Sequence, residues 1–239
     1  MEVGVVLQAV PVVRWPADAS EEYIQAREEL RRNEIELDAH IQRVAAQRHA
    51  LPLGAKMREY AFREGPRDLS VDEPVDETRL ADLVPDDRSL VVYHMMFSPQ
   101  DDEACPMCST WVDGLYGVSH HLRQRADFVV ISKAPLPKLR NWARHRGWDG
   151  LRILSSYGTN FNPEIGSEDE QGNQQPLMSV FVKRDGLVRH VYSGGAYLDP
   201  AVPERGMDLC CSVWHVWDLI PEGRADWYAG NDYAGRERG

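Results

Sequence analysis

A run of nine residues, 89–97, reads SLVVYHMMF and is followed by a short polar turn and then by Cys105-Pro106-Met107-Cys108. An apolar stretch of that length bounded by turn residues predicts a strand buried on both faces. After the cysteines, Trp111, Val112, Leu115, Val118 and Leu122 recur on one face of a helix over 105–124. A C-x-x-C pair alone says little, because zinc sites use the same spacing. At a strand-to-helix junction it says more: the unpaired N–H groups and the positive end of the helix favour a thiolate on the first cysteine. Pro106 lacks an N–H and has a preset φ, which suits the first helical position. Cys108 lies one turn further on, within reach of a mixed disulfide formed on Cys105. The pattern therefore points to Cys105 as nucleophile and Cys108 as resolving thiol.

Two other readings of the pair stay open. Cys105, Cys108 and His120 or His121 resemble a zinc-finger spacing. On a continuous helix, however, His120 would lie about 18 Å beyond Cys108, too far to share one metal. A composite site using His94 or the adjacent Cys210 and Cys211 is another arrangement. The bland alternative is a pair of core cysteines near a helix start. No cofactor and no resident metal are expected. Tyr93 and His94 end the strand beside the turn, so that one side chain faces the site and the other the core; His94 is the candidate proton shuttle.

Further along, 128–131 reads as a second buried strand and 137–147 as a short helix closed by Gly147. Residues 151–154 can form a short strand, and 156–175, rich in Gly, Asn, Asp and Glu, have the look of a surface excursion. Strands over 177–182 and 187–192 are joined by Lys183-Arg184-Asp185-Gly186, a hairpin turn, and Ser193-Gly194-Gly195 breaks the second of them. A last helix spans Leu209, Val213, Val216 and Leu219. Helices between buried strands imply parallel crossovers, and the late hairpin implies an antiparallel edge. The fold class is α/β, a mixed central sheet with helices on both faces.

Ahead of this domain, assigned to 89–239, residues 1–17 read as an arm laid over the surface. Residues 18–50 read as a long amphipathic helix, with Asp18 capping its first turn and Glu21 completing a capping-box-like pair. Tyr23, Leu30, Leu37 and Val44 repeat at seven-residue spacing, with Ala26, Ile41 and Ala45 beside them. So narrow a stripe packs by one seam, against its own domain or against a second copy in a homo-oligomer. Residues 51–88 read as a connector packed on the core, with 68–87 carrying eight carboxylates and one Arg. Leu80 and Leu83 tuck against the body.

The overall charge narrows the function. Lys and Arg number 27 against 38 Asp and Glu, a net −11, so nothing offers an electrostatic footprint for nucleic acid or an anionic membrane. No stretch approaches 18 apolar residues, and the first residues lack the basic start and apolar core of a secretory signal. Four cysteines are too few for a disulfide-dense secreted scaffold. The expectation is a reducing, cytoplasmic compartment.

The order of strand, C-x-x-C helix, strand, proline, strand, turn, strand and helix resembles the thioredoxin fold, and residues 80–97 resemble its peroxiredoxin-like branch. More closely, the chain resembles DUF899, a family of uncharacterised bacterial thioredoxin-like proteins. The matching pieces are Ala50-Leu51-Pro52, Val92-Tyr93-His94-Met95-Met96-Phe97, Cys105-Pro106-Met107-Cys108-Ser109, Ser132-Lys133-Ala134-Pro135-Leu136, Gly158-Thr159-Asn160-Phe161-Asn162 and Asp218-Leu219-Ile220-Pro221-Glu222-Gly223-Arg224. The resemblance to thioredoxins implies that Cys105 attacks, that Cys108 resolves, and that Pro176 is a cis-proline opposite the pair. In this chain Pro-Met stands between the cysteines, Ala104 precedes them, and Asp102 occupies the place of the peroxiredoxin threonine. Asp101, Asp102 and Glu103 would raise the thiol pKa, against the pull of the helix end. The expected activity is thiol–disulfide exchange with a disulfide-containing protein or small molecule, a reducing thiol partner restoring the dithiol. A thioredoxin-fold scaffold without turnover, and a metal-binding protein using the pair, are the competing classes.

Overall fold

The computed structural model describes residues 15–195 and 210–233. The chain divides into two compact units, one ending at Leu51 and one beginning at Pro52.

Among the described residues of the first unit, one helix, α1 (Glu21–His49), follows Trp15, whose ring meets Tyr23 edge-on at 6.3 Å and carries the Arg27 guanidinium over its face at 5.4 Å. The N-cap is Ser20, whose hydroxyl accepts from the Tyr23 N–H at 3.1 Å, and not Asp18. Ser20 is the residue immediately before the first helical turn, where its short side chain can reach the N3 amide; Asp18 is two residues too early. No residue of α1 is buried, and Leu30 and Leu37 are 50% and 58% exposed. Of the expected arm at 1–17, only residues 15–17 fall within the described part.

The second unit is built on a seven-stranded mixed sheet in the order β2-β1-β5-β4-β3-β6-β7. Its strands are β1 (Ala61–Glu64), β2 (Asp76–Arg79), β3 (Ser89–Met95), β4 (Ala126–Ser132), β5 (Ile153–Ser155), β6 (Leu177–Arg184) and β7 (Leu187–Gly195). The strands β3, β4 and β5 run parallel, while β6 lies antiparallel to β3 on its other side and leads into the β6–β7 hairpin. Helices α3 (Pro106–Leu122) and α4 (Leu136–Arg146) cover one face; α2 (Leu80–Leu83) and α5 (Phe161–Ile165) cover the other. Alternation along β3 divides it between two cores. Tyr93, Met95 and Phe97 join Trp111, Val112, Leu139 and Trp142 under α3 and α4, while Leu90 and Val92 join Phe62, Leu80, Leu83 and Phe161. This is the thioredoxin-like arrangement.

Several expectations are corrected. The acidic connector supplies two strands: β1 pairs with β2 and with β5, extending the sheet. Arg140, buried on α4, gathers the loop before β2 by donating to the carbonyls of Pro66, Asp68 and Val71 and pairing with Asp72. The 156–175 excursion is partly core, because Phe161 is fully buried against the rings of Tyr60 and Phe62. Asn, Gly and Asp surround that one anchoring aromatic, so composition hid it. The hairpin turn is only Asp185-Gly186, both at positive φ, as a tight right-twisting connection requires. The strand β7 runs through Ser193, Gly194 and Gly195 to pair with β6, since glycine weakens a strand without barring it from the ladder. The last helix, α6 (Ser212–Trp217), is shorter than expected, and Leu209 lies outside the described residues. Finally, the Gln175–Pro176 bond is trans. The chain arrives there already paired, with Glu168 bridged to Gln174 and the Gln175 N–H donating to the Ser167 carbonyl at 2.8 Å, and it passes straight into β6.

Candidate active site

The strand β3 is central, flanked by β4 and β6, and it delivers the chain to α3 through the loop 96–104. That loop is tied at both ends. The Cys105 N–H donates to the Met96 carbonyl at 3.1 Å, and the Phe97 N–H to Gln174 Oε1 at 3.0 Å. Lys138 reaches from α4 to the Pro99 carbonyl at 3.0 Å and stands 5.1 Å over the Phe97 ring.

Cys105 is the N-cap of α3 and Pro106 opens the helix, as the spacing predicts. The two cysteines lie 3.7 Å apart and are not bridged. Cys108 is buried and Cys105 half-buried. Donors converge on the Cys105 sulfur: the Cys108 thiol, the Cys108 N–H at 3.5 Å, and the Met107 N–H. Together they lower its pKa to about 6, the Cys108 thiol contributing most, against the opposing effect of burial. The thiol of Cys108 is driven well above its ordinary value, first because it donates to Cys105 and then because it is buried. The half-buried sulfur is thus favoured as thiolate, the fully buried one as neutral thiol. The competition foreseen between the helix end and Asp101, Asp102 and Glu103 is decided by the donors. Below the pair, the Ser109 hydroxyl donates to the Cys105 carbonyl and accepts from Trp142 Nε1, both at 3.1 Å, fixing the first turn of α3 against α4.

His94 does not reach the pair. It points to the opposite face of the sheet, stacked 5.4 Å from the Phe161 ring, with Nε2 at 3.0 Å from the Ser179 hydroxyl. From there the contacts continue through Ser193 to His190 at 2.8 Å each. Burial lowers the His94 pKa to about 3, so it stays neutral at physiological pH. The reason is the two-residue period of a strand: with Tyr93 facing α3, its neighbour must face away. Tyr93 is the residue that meets the site, its hydroxyl hydrogen-bonded to the Cys108 thiol. Parity along 89–97 held the clue, because Phe97, even-spaced from Tyr93, leads into the cysteine loop. Pro176 immediately precedes β6, whose first residue, Leu177, pairs with His94.

Beside the loop, the carboxyl ends of β3, β4 and β5 open onto a cleft of about 450 Å³, the place where parallel sheets commonly hold ligands. Ser98, Gln100, Lys133, Tyr157, Asn160 and Gln174 line it. Asn160 is exposed there, whereas Phe161 and Asn162, which the sequence grouped with it, are buried. Lys133 is held in place by Glu168 at 2.5 Å.

A dithiol at the amino end of the helix that follows the central strand of such a sheet defines a thioredoxin-fold protein built for thiol redox chemistry. The chain belongs to DUF899, described as a bacterial protein of unknown function, which matches residues 13–237. Among solved structures, the peroxidoxin BcpB from Mycobacterium tuberculosis is 15% identical, with 70% of this chain and 97% of that one covered and a TM-score of 0.48. AhpC from Enterococcus faecalis is 11% identical over 74% and 98% of the two chains, with a TM-score of 0.49. A putative thioredoxin reductase from Burkholderia cenocepacia is 17% identical over 59% and 88%, with a TM-score of 0.45. No curated protein matches the chain in sequence. Among the described residues, no helix is long and apolar enough to cross a membrane.

Proposed function

We propose that the protein is a thiol–disulfide oxidoreductase in which Cys105 attacks a substrate disulfide and Cys108 resolves the mixed disulfide. The observation that carries this reading is the division of labour at the pair: the half-exposed sulfur is the one at which the donors point. A thiol with a pKa near 6 is largely thiolate at neutral pH, and the thiolate is the attacking species. Substrate sulfur bonds to Cys105 and one half of the substrate leaves as thiol; Cys108 then bonds to Cys105 and the second half leaves. Two electrons pass from the dithiol to the substrate, and an external dithiol restores the pair. The polar cleft at residues 98–100 and 157–160 opens onto the loop that ends in Cys105, and would hold the non-reacting part of a polar disulfide, peptide or small molecule. The setting is reducing and cytoplasmic.

The test is the asymmetry of two variants. With Cys210→Ser in both proteins to remove the exposed thiol outside the pair, Cys108→Ser incubated with a disulfide should accumulate a covalent adduct on Cys105, seen by mass spectrometry, whereas Cys105→Ser should form none. Adducts in equal amount on both variants, or on neither, would return the pair to a structural or scaffold role.

We also propose that α1 pairs with α1 of a second copy in antiparallel fashion. Its stripe of Tyr23, Leu30, Leu37, Ile41 and Val44 is half-exposed or more at most positions in the single chain, and such a stripe needs a partner surface. Residues 21–38 carry seven carboxylates and three Arg, whereas 39–49 carry two Arg and no carboxylate. Antiparallel pairing sets the acidic half of each helix against the basic half of the other.

A further inference from the structure

Tyr93 is 1% exposed, its ring nearly parallel to that of Trp111 with centroids 6.2 Å apart and planes at 8°. A buried phenol needs a hydrogen-bond partner, and the partner here is a sulfur of the dithiol. From the strand outward, the Tyr93 hydroxyl interacts with the Cys108 sulfur, and the Cys108 thiol with the Cys105 sulfur 3.7 Å away. The titratable groups acting on the phenol are Cys108 and Cys105 of α3 and, from the residue before α6, Cys211. Phenylalanine would fill the same space and stack on Trp111 equally well, so the hydroxyl is what packing leaves unexplained.

We propose that Tyr93 is a catalytic residue of the second half-reaction: its hydroxyl donates to the Cys108 sulfur and supports the charge that builds there as Cys108 attacks the mixed disulfide. This rests on the exchange reading above. In the resting dithiol, Cys108 gives its proton towards the Cys105 thiolate. Once Cys105 is bonded to substrate it carries no charge, and Cys108 loses that acceptor. The attack then forms the Cys108–Cys105 bond and breaks the bond between Cys105 and the substrate sulfur. The Cys108 proton ends on the departing substrate thiolate, and no further oxidant or reductant enters. A sulfur ionising in that apolar site is costly without donors. Two are in place, the Tyr93 hydroxyl and the Met96 N–H. Burial keeps the phenol protonated, and therefore a donor, throughout the physiological range.

The experiment is a single-turnover reaction of the reduced full-length protein with dithionitrobenzoate, an aromatic disulfide that liberates a coloured thiol. The first equivalent reports attack by Cys105 and the second reports resolution by Cys108. With Cys210→Ser in every protein, to remove the exposed thiol outside the pair, the wild-type pair should release two and Cys108→Ser one. Tyr93→Phe should keep the first phase within about twofold and slow the second by about tenfold or more, equivalent to about 1.4 kcal/mol. Raising the pH should recover the second phase, because solvent base then removes the proton from Cys108. A second phase unchanged in Tyr93→Phe, or both phases slowed equally, overturns the proposal while leaving the exchange reading intact. A wild type that releases one equivalent, indistinguishable from Cys108→Ser, overturns both. Should Tyr93→Phe fail to fold, replacing the tyrosines by 3-fluorotyrosine keeps the shape and strengthens the donor. The second phase should then accelerate relative to the first, and an unchanged ratio defeats the proposal.

Discussion

Tyr93 and His94 are consecutive on β3, yet one hydroxyl touches Cys108 while the other ring lies on the far side of the sheet against Phe161. His94 is therefore a matter of stability. Its folded pKa, about 3, lies below the ordinary value of 6.5, so the unfolded chain binds this proton first as pH falls. The contribution is complete above about pH 6.5 and is lost progressively down to about pH 3, at a limiting slope of about 1.4 kcal/mol per pH unit. Replacing His94 by Asn should flatten that acid limb in urea titrations and leave the dithionitrobenzoate phases unchanged. A loss of attack or resolution rate in that variant would show that this assignment of faces is mistaken.

For Cys105 the sign is the same and the range is higher. Its pKa is lowered from 9.0 to about 6, so alkylation by iodoacetamide should reach half its plateau near pH 6. The Cys108→Ala variant removes the largest stabilising donor and should move that midpoint upward, towards the ordinary thiol range. The reduced protein should also gain stability from this group as pH rises from about 6 to about 9, a gain that Cys105→Ser would abolish.

Phe161 anchors the segment that forms the wall of the cleft. It is fully buried and its ring meets those of Tyr60, Phe62, His94 and Phe181. Phe161→Ala should cost about 3–5 kcal/mol in chemical denaturation. The segment 156–175 should become the first site of limited proteolysis, and protection equal to wild type would argue against its role as anchor.

The helix α1 gives a prediction independent of the dithiol. Light scattering at micromolar concentration should find the mass of two chains. Leu30→Glu with Leu37→Glu should give one chain while leaving the Cys105 titration unchanged. Exchanging Arg43 and Arg48 for Glu should weaken the pair at low salt more than at high salt, because exposed charges are screened. A wild type that stays monomeric would refute the proposed seam.

Much of this protein can be read along the chain, because the signals are local. A nine-residue apolar run can only be a buried element. A cysteine followed by proline caps a helix whatever lies elsewhere, and Asp185-Gly186 turns a hairpin by backbone conformation alone. Cys105 at the start of α3 follows from these facts, as does the mixed sheet. Other features depended on contacts between residues distant in sequence. Residues 61–64 become the strand β1 because they find β5, some ninety residues later, and β2, within the acidic 65–88 stretch, then pairs with β1; no local pattern marks a four-residue strand. Phe161 is core because the chain folds back over β3, although its neighbours are polar. Which of Tyr93 and His94 meets the cysteines was a question of parity: alternation guarantees that they diverge, but only the side on which α3 packs decides which one goes where. The pKa difference within the pair is likewise tertiary. Sequence puts two thiols one turn apart, whereas burial of one, and the donors aimed at the other, separate them into a neutral thiol and a thiolate.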